Sequence, residues 1–335
     1  MDTITLDDVA KLSGVSRSTA SRVINDQPGV RPDVRERVQR IADHLGFRPN
    51  RAAKNLASGR ASVIGLVIPS EELRVDPYGA SITHAVGRAA TRHDLGLMLH
   101  LAEEVPGRTV HHILRDGLID GLVISSVALG RPWVDELLDS SLPTVLIGRH
   151  PRRTDLASVD VENVDSSASA TAHLFDQGCE RVGTITGPLG RVDARQRLDG
   201  FRLAHERAGR VVDETLVVEG DFRRGSAVEA ARLLIGRGVD GIVAGNDEMA
   251  IGAMWACTAL GVSIPGDVAI VGFDGTGSGL DTHGDVTLSS VVQPFDRLAD
   301  TAVSMLNAIV EGHQATGPVS IPPDLVVGGS SLRRT

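Results

Sequence analysis

Residues 5–25, TLDDVAKLSGVSRSTASRVIN, read as two short helices joined by a tight turn. Thr5 is placed to cap the first helix, with Asp8 three positions on to complete a capping box. Leu6, Val9, Ala10 and Leu12 supply an apolar face at helical spacing. Ser13-Gly14-Val15 makes the turn, where Gly14 can take a positive φ, and Ser16 caps the second helix. At about 100° per residue, Arg17, Ser18, Ser21 and Arg22 fall on one arc of that helix, with Ala20 and Val23 opposite. A small apolar back and a front of guanidinium and hydroxyl groups suit a DNA major groove. There an arginine can give two hydrogen bonds to guanine O6 and N7. The competing reading is an ordinary αα-hairpin with a polar face.

At 335 residues the chain is long enough for two or three folding units. It is 41% hydrophobic but only 3% aromatic, so its cores must be built from Val, Leu, Ile and Ala. No apolar run approaches the roughly 20 residues of a membrane span. The opening residues, MDTITLDDVA, lack the basic and apolar regions of a secretory signal. A cytoplasmic protein without membrane attachment is expected. Cys179 and Cys257 form no CxxC pair and no histidine spacing suits a metal, so buried thiols and neither metal nor cofactor are expected. The net charge of −9 argues against nucleic acid until its distribution is examined. Residues 1–60 hold 11 Lys+Arg and 7 Asp+Glu, a net of +4, and the rest carries −13. A basic head on an acidic body fits phosphate contact at one end only.

A third helix is predicted from Pro32, with Val34, Val38, Ile41, Ala42 and Leu45 at helical spacing and Gly46 as the stop. Residues 1–46 thus make a compact all-α head. The joint 47–60, FRPNRAAKNLASGR, suits a helix of about two turns, too short to persist alone in water. From residue 61 apolar strands (63–68, 97–101, 121–124, 144–147, 181–186, 241–244, 268–273) alternate with helices (81–93, 164–177, 197–208, 226–236, 247–260). That pattern means α/β with parallel sheets covered on both faces. Residues 118–124, LIDGLVI, echo 239–244, VDGIVA, which two similar lobes would explain. A late strand (288–292), a helix (295–312) and a terminal strand (324–327) are placed to cross back between lobes. The glycine loop 275–279 lacks the Lys-Ser/Thr of a P-loop and the third glycine of GxGxxG, and no GxSxG elbow occurs. No enzymatic chemistry is expected.

Five stretches in order, GVSRSTASRVIND, FRPNRAAKNLASGR, ARQRLDGF, VAGNDEMAIGAM and VAIVGFDG, resemble the LacI/GalR family of transcriptional regulators over nearly the whole chain. The resemblance implies a helix-turn-helix headpiece, a hinge at 47–60 and a periplasmic-binding-protein-like body from 61 to 335. Its first lobe would hold about 61–161 and 291–320, and its second about 162–290 and 321–335. It implies that Arg17, Ser18 and Arg22 read bases and that Ser16, Thr19, Ser21 and Asn25 contact phosphates. Lys54 and Leu56 would enter the minor groove, the leucine as an apolar wedge that kinks DNA. Arg197, Asn246 and Asp274 would hold a small effector, most simply a sugar. Arg149 and Asp193 line its site, and Phe222, Tyr78 and Phe295 offer an apolar face. Ligands of open parallel sheets do sit beyond the carboxyl ends of strands, where Arg149, Asn246 and Asp274 fall. The partners implied are a double-stranded pseudo-palindromic operator, the effector and a second copy of the chain. The last residues carry no apolar heptads, so a dimer is expected rather than a tetramer. Arg149 stands where some sugar-responsive members have an acid, and Asp193 where a serine is common. These departures leave the effector open between a neutral sugar, a phosphorylated or acidic ligand, and a nucleobase.

Overall fold

The computed structural model describes residues 4–47, 60–69, 77–102, 113, 117–125, 132–276, 286–314 and 317–333. The chain divides into two units, Met1–Ala61 and Ser62–Thr335.

The first unit contains α1 (Leu6–Ser13), α2 (Arg17–Ile24) and α3 (Pro32–Leu45). The capping box forms: the Asp8 amide donates to Thr5 Oγ1 at 3.3 Å and the Thr5 amide to Asp8 Oδ2 at 2.9 Å. Gly14 and Gly46 close α1 and α3 in the left-handed conformation, at φ 66° and 64°. Val9, Ala10, Ala20, Val23, Val34, Val38 and Ala42 form the small core. Leu12 departs from expectation and is 60% exposed, while Ser13 is buried. Leu12 lies roughly 110° from the centre of the arc made by Leu6, Val9, Ala10 and Ser13, too far round to face α3. Arg37 of α3 donates to the Ser13 carbonyl at 3.1 Å, satisfying the end of α1.

The second unit holds two six-stranded sheets. One contains β1 (Val63–Pro69), β2 (Gly96–Ala102), β3 (Gly121–Ser125), β4 (Thr144–Ile147), β5 (Ser158–Val161) and β11 (Val319–Ile321), in the order β11-β5-β4-β3-β1-β2, all parallel. The other contains β6 (Val182–Thr186), β7 (Val217–Glu219), β8 (Gly241–Ala244), β9 (Ala269–Asp274), β10 (Ser289–Val292) and β12 (Asp324–Val326). Its order is β12-β10-β9-β8-β6-β7, parallel except that β12 runs antiparallel to β10. The helices α4 (Pro77–Arg92), α5 (Pro132–Leu138) and α10 (Phe295–Val310) belong to the first lobe. The helices α6 (Asn163–Asp176), α7 (Val192–Arg207), α8 (Arg224–Gly236) and α9 (Asp247–Leu260) belong to the second. Strands β3 and β8, which carry the internal echo, take the same place in their two sheets. The acid before each does the same work. Asp120 accepts the Ser62 amide beside β1 at 2.7 Å, and Asp240 accepts the Glu180 and Arg181 amides beside β6 at 2.8 Å.

Strands β5, β7 and β11 and helix α5 escape the sequence pattern, because strands of three or four residues such as SVDV or VSI, and a helix of seven, carry too little periodicity. Helix α7 starts at Val192 rather than 197, its first turn being polar. The lobe boundaries also shift slightly. Val291 and Val292 pair with β9 in the second sheet, and Ile321 pairs with β5 in the first. Cys179 and Cys257 are buried thiols, as expected, and burial pushes both up to about 11.

Helices α6 and α7 cross at Gly200, where a Cβ would stand 2.1 Å from the Val164 carbonyl oxygen and 2.8 Å from Ser167 Cβ. Gly236, at the end of α8, has open space instead. Gly200→Ala is therefore expected to lower unfolding free energy by roughly 1–3 kcal/mol. Gly236→Ala should be neutral or stabilise by about 0.5–1 kcal/mol. Denaturant melts of the two variants check this, and equal effects would contradict the close crossing.

Candidate functional site

On the head, Ser16 caps α2 by accepting the Thr19 amide at 3.1 Å, and its hydroxyl also meets Ser18 Oγ and Thr19 Oγ1 at 2.9 and 2.8 Å. Ala20 and Val23 are buried against the other helices, which turns Arg17, Ser18 and Arg22 outward. Thr19 and Ser21 are half-buried at the edge of that face. Asn25 ends the helix, its Nδ2 donating to the Ser21 carbonyl at 2.9 Å. The Arg17 guanidinium stands 3.2 Å from Asp7, both well exposed, a surface pair that solvent keeps weak. Arg22 has no ion pair among the described residues. The face thus presents two extended cations and hydroxyl donors on a rigid, capped helix. Lys54 and Leu56 lie outside the described residues.

In the body a second polar cluster forms where the two lobes meet. Arg197, on α7, is 8% exposed and lies over the Phe273 ring, its guanidinium carbon 3.7 Å from the centroid. Its Nε donates to Asn163 Oδ1 at 3.0 Å, one Nη donates to the Gly245 carbonyl, and the other stands 3.4 Å from Asp274 Oδ1. Asp274 ends β9 at φ 104°, a conformation that side chains rarely adopt, and it accepts Gln293 Nε2 at 2.6 Å. Gln293 and Asn163 each stand at a crossover between the lobes. Asn163 Nδ2 reaches Gln196 Oε1 at 3.2 Å and both Asp160 oxygens at 3.4 Å. Opposite, Arg191 grips Asp193 with two bonds, Nε to Oδ1 at 3.1 Å and Nη2 to Oδ2 at 2.9 Å. Phe222, at φ 65°, lays its ring on Gly187, where a Cβ would come within 2.0 Å of it. The Arg191 guanidinium is 5.2 Å from that ring.

Two aspartates of this cluster, Asp160 and Asp193, are pushed apart in acidity. Burial lifts Asp160 to about 6, with Asp193 adding repulsion, against the amide of Val161 and the charges of Arg149 and Arg197. Burial also opposes ionisation of Asp193, but the charge and hydrogen bonds of Arg191 and the charge of Arg197 outweigh it and hold the group at about 2.

The structure brings Arg197, Asp274, Asp193, Arg149 and Phe222 to the cleft. Asn246, just after β8, is tied to the scaffold by both ends of its amide. Its Oδ1 accepts the Met249 amide at 2.9 Å as the cap of α9, and its Nδ2 donates to the Phe222 carbonyl at 3.0 Å. These bonds use one N–H and one lone pair of the amide and leave one of each. Tyr78 packs edge-on against Phe295 with centroids 5.5 Å apart, both half-buried on the first lobe's core. Asp160, Asn163, Arg191, Gln196 and Gln293 join the cluster without a sequence signal strong enough to single them out. Asp160 sits in the unpredicted β5, and Gln293 shows its role only once the crossovers are seen.

A carboxyl raised from 3.8 to about 6 contributes stability that is complete below 3.8 and lost as pH rises through about 6. Asp160→Asn removes that loss. It is expected to stabilise the body at pH 8 by roughly 1–3 kcal/mol relative to wild type, and by much less at pH 4. Thermal melts across pH 4–8 test it, and a gain that does not vary with pH would contradict the assignment.

The family profile described as "Bacterial regulatory proteins, lacI family" matches residues 5–50, and "Periplasmic binding protein-like domain" matches residues 171–331. The HTH-type transcriptional regulator CelR of Thermobifida fusca is 34% identical over 324 residues, covering 95% of this chain and 94% of that one. The regulator AscG of Escherichia coli strain K12 is 29% identical, with 96% of each chain covered. Among solved structures, a CelR–cellobiose complex superposes with a TM-score of 0.74 at 31% identity, covering 98% of this chain and 99% of that one. The lac repressor dimer bound to operator and the anti-inducer ONPF gives a TM-score of 0.78 at 26% identity, with 99% and 100% covered. These relatives are transcriptional regulators, not enzymes. With a lacI-family head, a periplasmic-binding-protein-like body and 34% identity to CelR along nearly the full length, the chain belongs to the LacI family of transcriptional regulators.

Proposed function

We propose that this protein is a repressor that binds a pseudo-palindromic operator as a homodimer in the cytoplasm and is controlled by a sugar-type effector in the interlobe cleft. The observation that carries the reading is the outward face of α2, with Arg17, Ser18 and Arg22 exposed on a helix capped by Ser16 and anchored by Ala20 and Val23. Residues 1–46 act as the DNA-binding head, 47–60 as the hinge and 61–335 as the effector-binding and dimerising body. Arg17, Ser18 and Arg22 read bases, and Ser16, Thr19, Ser21 and Asn25 fix register on phosphates. Lys54 and Leu56 act in the minor groove. The effector is held by Arg197 and Asp274, whose buried carboxylate and guanidinium suit neighbouring sugar hydroxyls. CelR, as its complex with cellobiose indicates, is a sugar-binding relative. Because Asn163 and Gln293 tie both of these residues to the crossovers, a ligand that prefers one lobe arrangement shifts the population of arrangements. Carbohydrate-metabolism genes are the targets most consistent with such a ligand.

Selection of DNA duplexes from a random library by the full chain tests the head. Arg22→Ala should cost about 1–3 kcal/mol on the selected operator and relax base preference at one position of each half-site. Leu56→Ala should weaken the selected operator far more than random duplex. If Arg22→Ala selected the same sequences with the same stringency, α2 would not be the reading helix.

A further inference from the structure

We propose that the effector carries an anionic substituent, as a sugar acid or sugar phosphate does, and that Arg149 is the residue that selects it. The inference rests on the reading of the cleft as the effector site.

The charges of the cluster are unequally matched. Arg191 is satisfied by a two-bonded Asp193, and Arg197 by Asp274, Asn163 and the Gly245 carbonyl. Arg149 is paired more loosely, its ion pair with Asp160 spanning 3.9 Å. Its Nη2 donates to Ser320 Oγ at 2.8 Å and, weakly, to the Val319 carbonyl at 3.5 Å. The carboxylate facing it, Asp160, stands 3.9 Å from Nε, beyond hydrogen-bond length. Asp160 meanwhile accepts the Val161 amide at 2.8 Å and faces Asn163, so its oxygens are engaged elsewhere. Among the described residues, then, Nε and Nη1 of Arg149 make no hydrogen bond. The side chain is 24% exposed, so a solute can reach it.

The backbone presents this guanidinium rigidly. Gly148, at φ 106°, turns the chain after β4. The buried His150 then pins the following loop: its Nδ1 accepts the amides of Arg152 and Arg153 at 3.2 and 3.0 Å, and its Nε2 lies 3.2 Å from Asp135. An arginine held at one nitrogen and open at two others offers the planar fork that carboxylates and phosphates fit. Asp160 opposes a second anion there, which limits the ligand to a compact one approaching from the Nη1 side.

Calorimetry of the full-length chain at pH 7.5 tests this with D-glucuronate, D-galacturonate and glucose 6-phosphate against D-glucose and D-galactose. At least one acidic probe should bind roughly 10–100-fold tighter than its neutral parent. Which acidic probe wins distinguishes carboxylate from phosphate. Arg149→Gln should collapse that ratio toward one, Arg149→Lys should retain part of it, and Asp160→Asn should strengthen the acid and not the neutral sugar. Neutral sugars binding as tightly as acids, an unchanged ratio in Arg149→Gln, or no binding by any acidic probe would each overturn the inference. Asp274→Asn separates the two levels. A neutral sugar that needs Asp274 but ignores Arg149 leaves the effector cleft standing and sinks only the anion. Sugar binding indifferent to Asp274 would sink the cleft itself.

Discussion

The body depends on one buried cation. Arg197 reaches from α7 across the end of β9, lies on Phe273 and touches groups from three directions: Asn163 at the start of α6, the carbonyl after β8 and Asp274. A guanidinium this buried is tolerated only when nearly every donor has a partner, because an unpaired buried charge costs several kcal/mol. The neighbours are accordingly specialised. Asp274 accepts a strained backbone, and Gln293 crosses between lobes to steady it. Strain of that kind persists where surrounding structure over-determines it, and here the surroundings are two sheets and two crossovers.

Placing the cation there links recognition to lobe geometry. The chain passes between sheets between β5 and α6, between β10 and α10, and between β11 and β12. Asn163 and Gln293 sit on the first two passages, so the cleft cannot rearrange its polar groups without disturbing the joints of the lobes. The small residues at helix crossings serve the same end. Gly200 lets α7 approach α6 closely enough for Arg197 and Asn163 to meet. The head achieves its rigidity differently, through the capping box of α1, the Ser16 cap of α2 and the left-handed glycines that close α1 and α3.

Much of this was readable in the residues. The capped helices of the head, the alternation of strands and helices and the repeated Asp-Gly before β3 and β8 all follow local rules, and the structure follows them closely. Leu12 shows the limit of such rules, since spacing suggested an apolar face while the true arc placed Ser13 inward. Asn246 shows another. An amide at a strand end reads as a ligand contact, and spacing does not reveal that the same position is also the N-cap of α9, bonded to the cap and to the Phe222 loop.

The elements, their order and the exposed face of α2 are set locally, because hydrophobic period, capping residues and glycine conformations act over a few residues. Which polar groups meet depends on the folded chain as a whole. Asp160, Asn163, Arg191, Arg197 and Gln293 are separated by up to 133 positions and converge through sheet order and crossovers. Their charges and pairings, including which arginine keeps open donors, are properties of distance and burial, and neither is written in spacing along the chain.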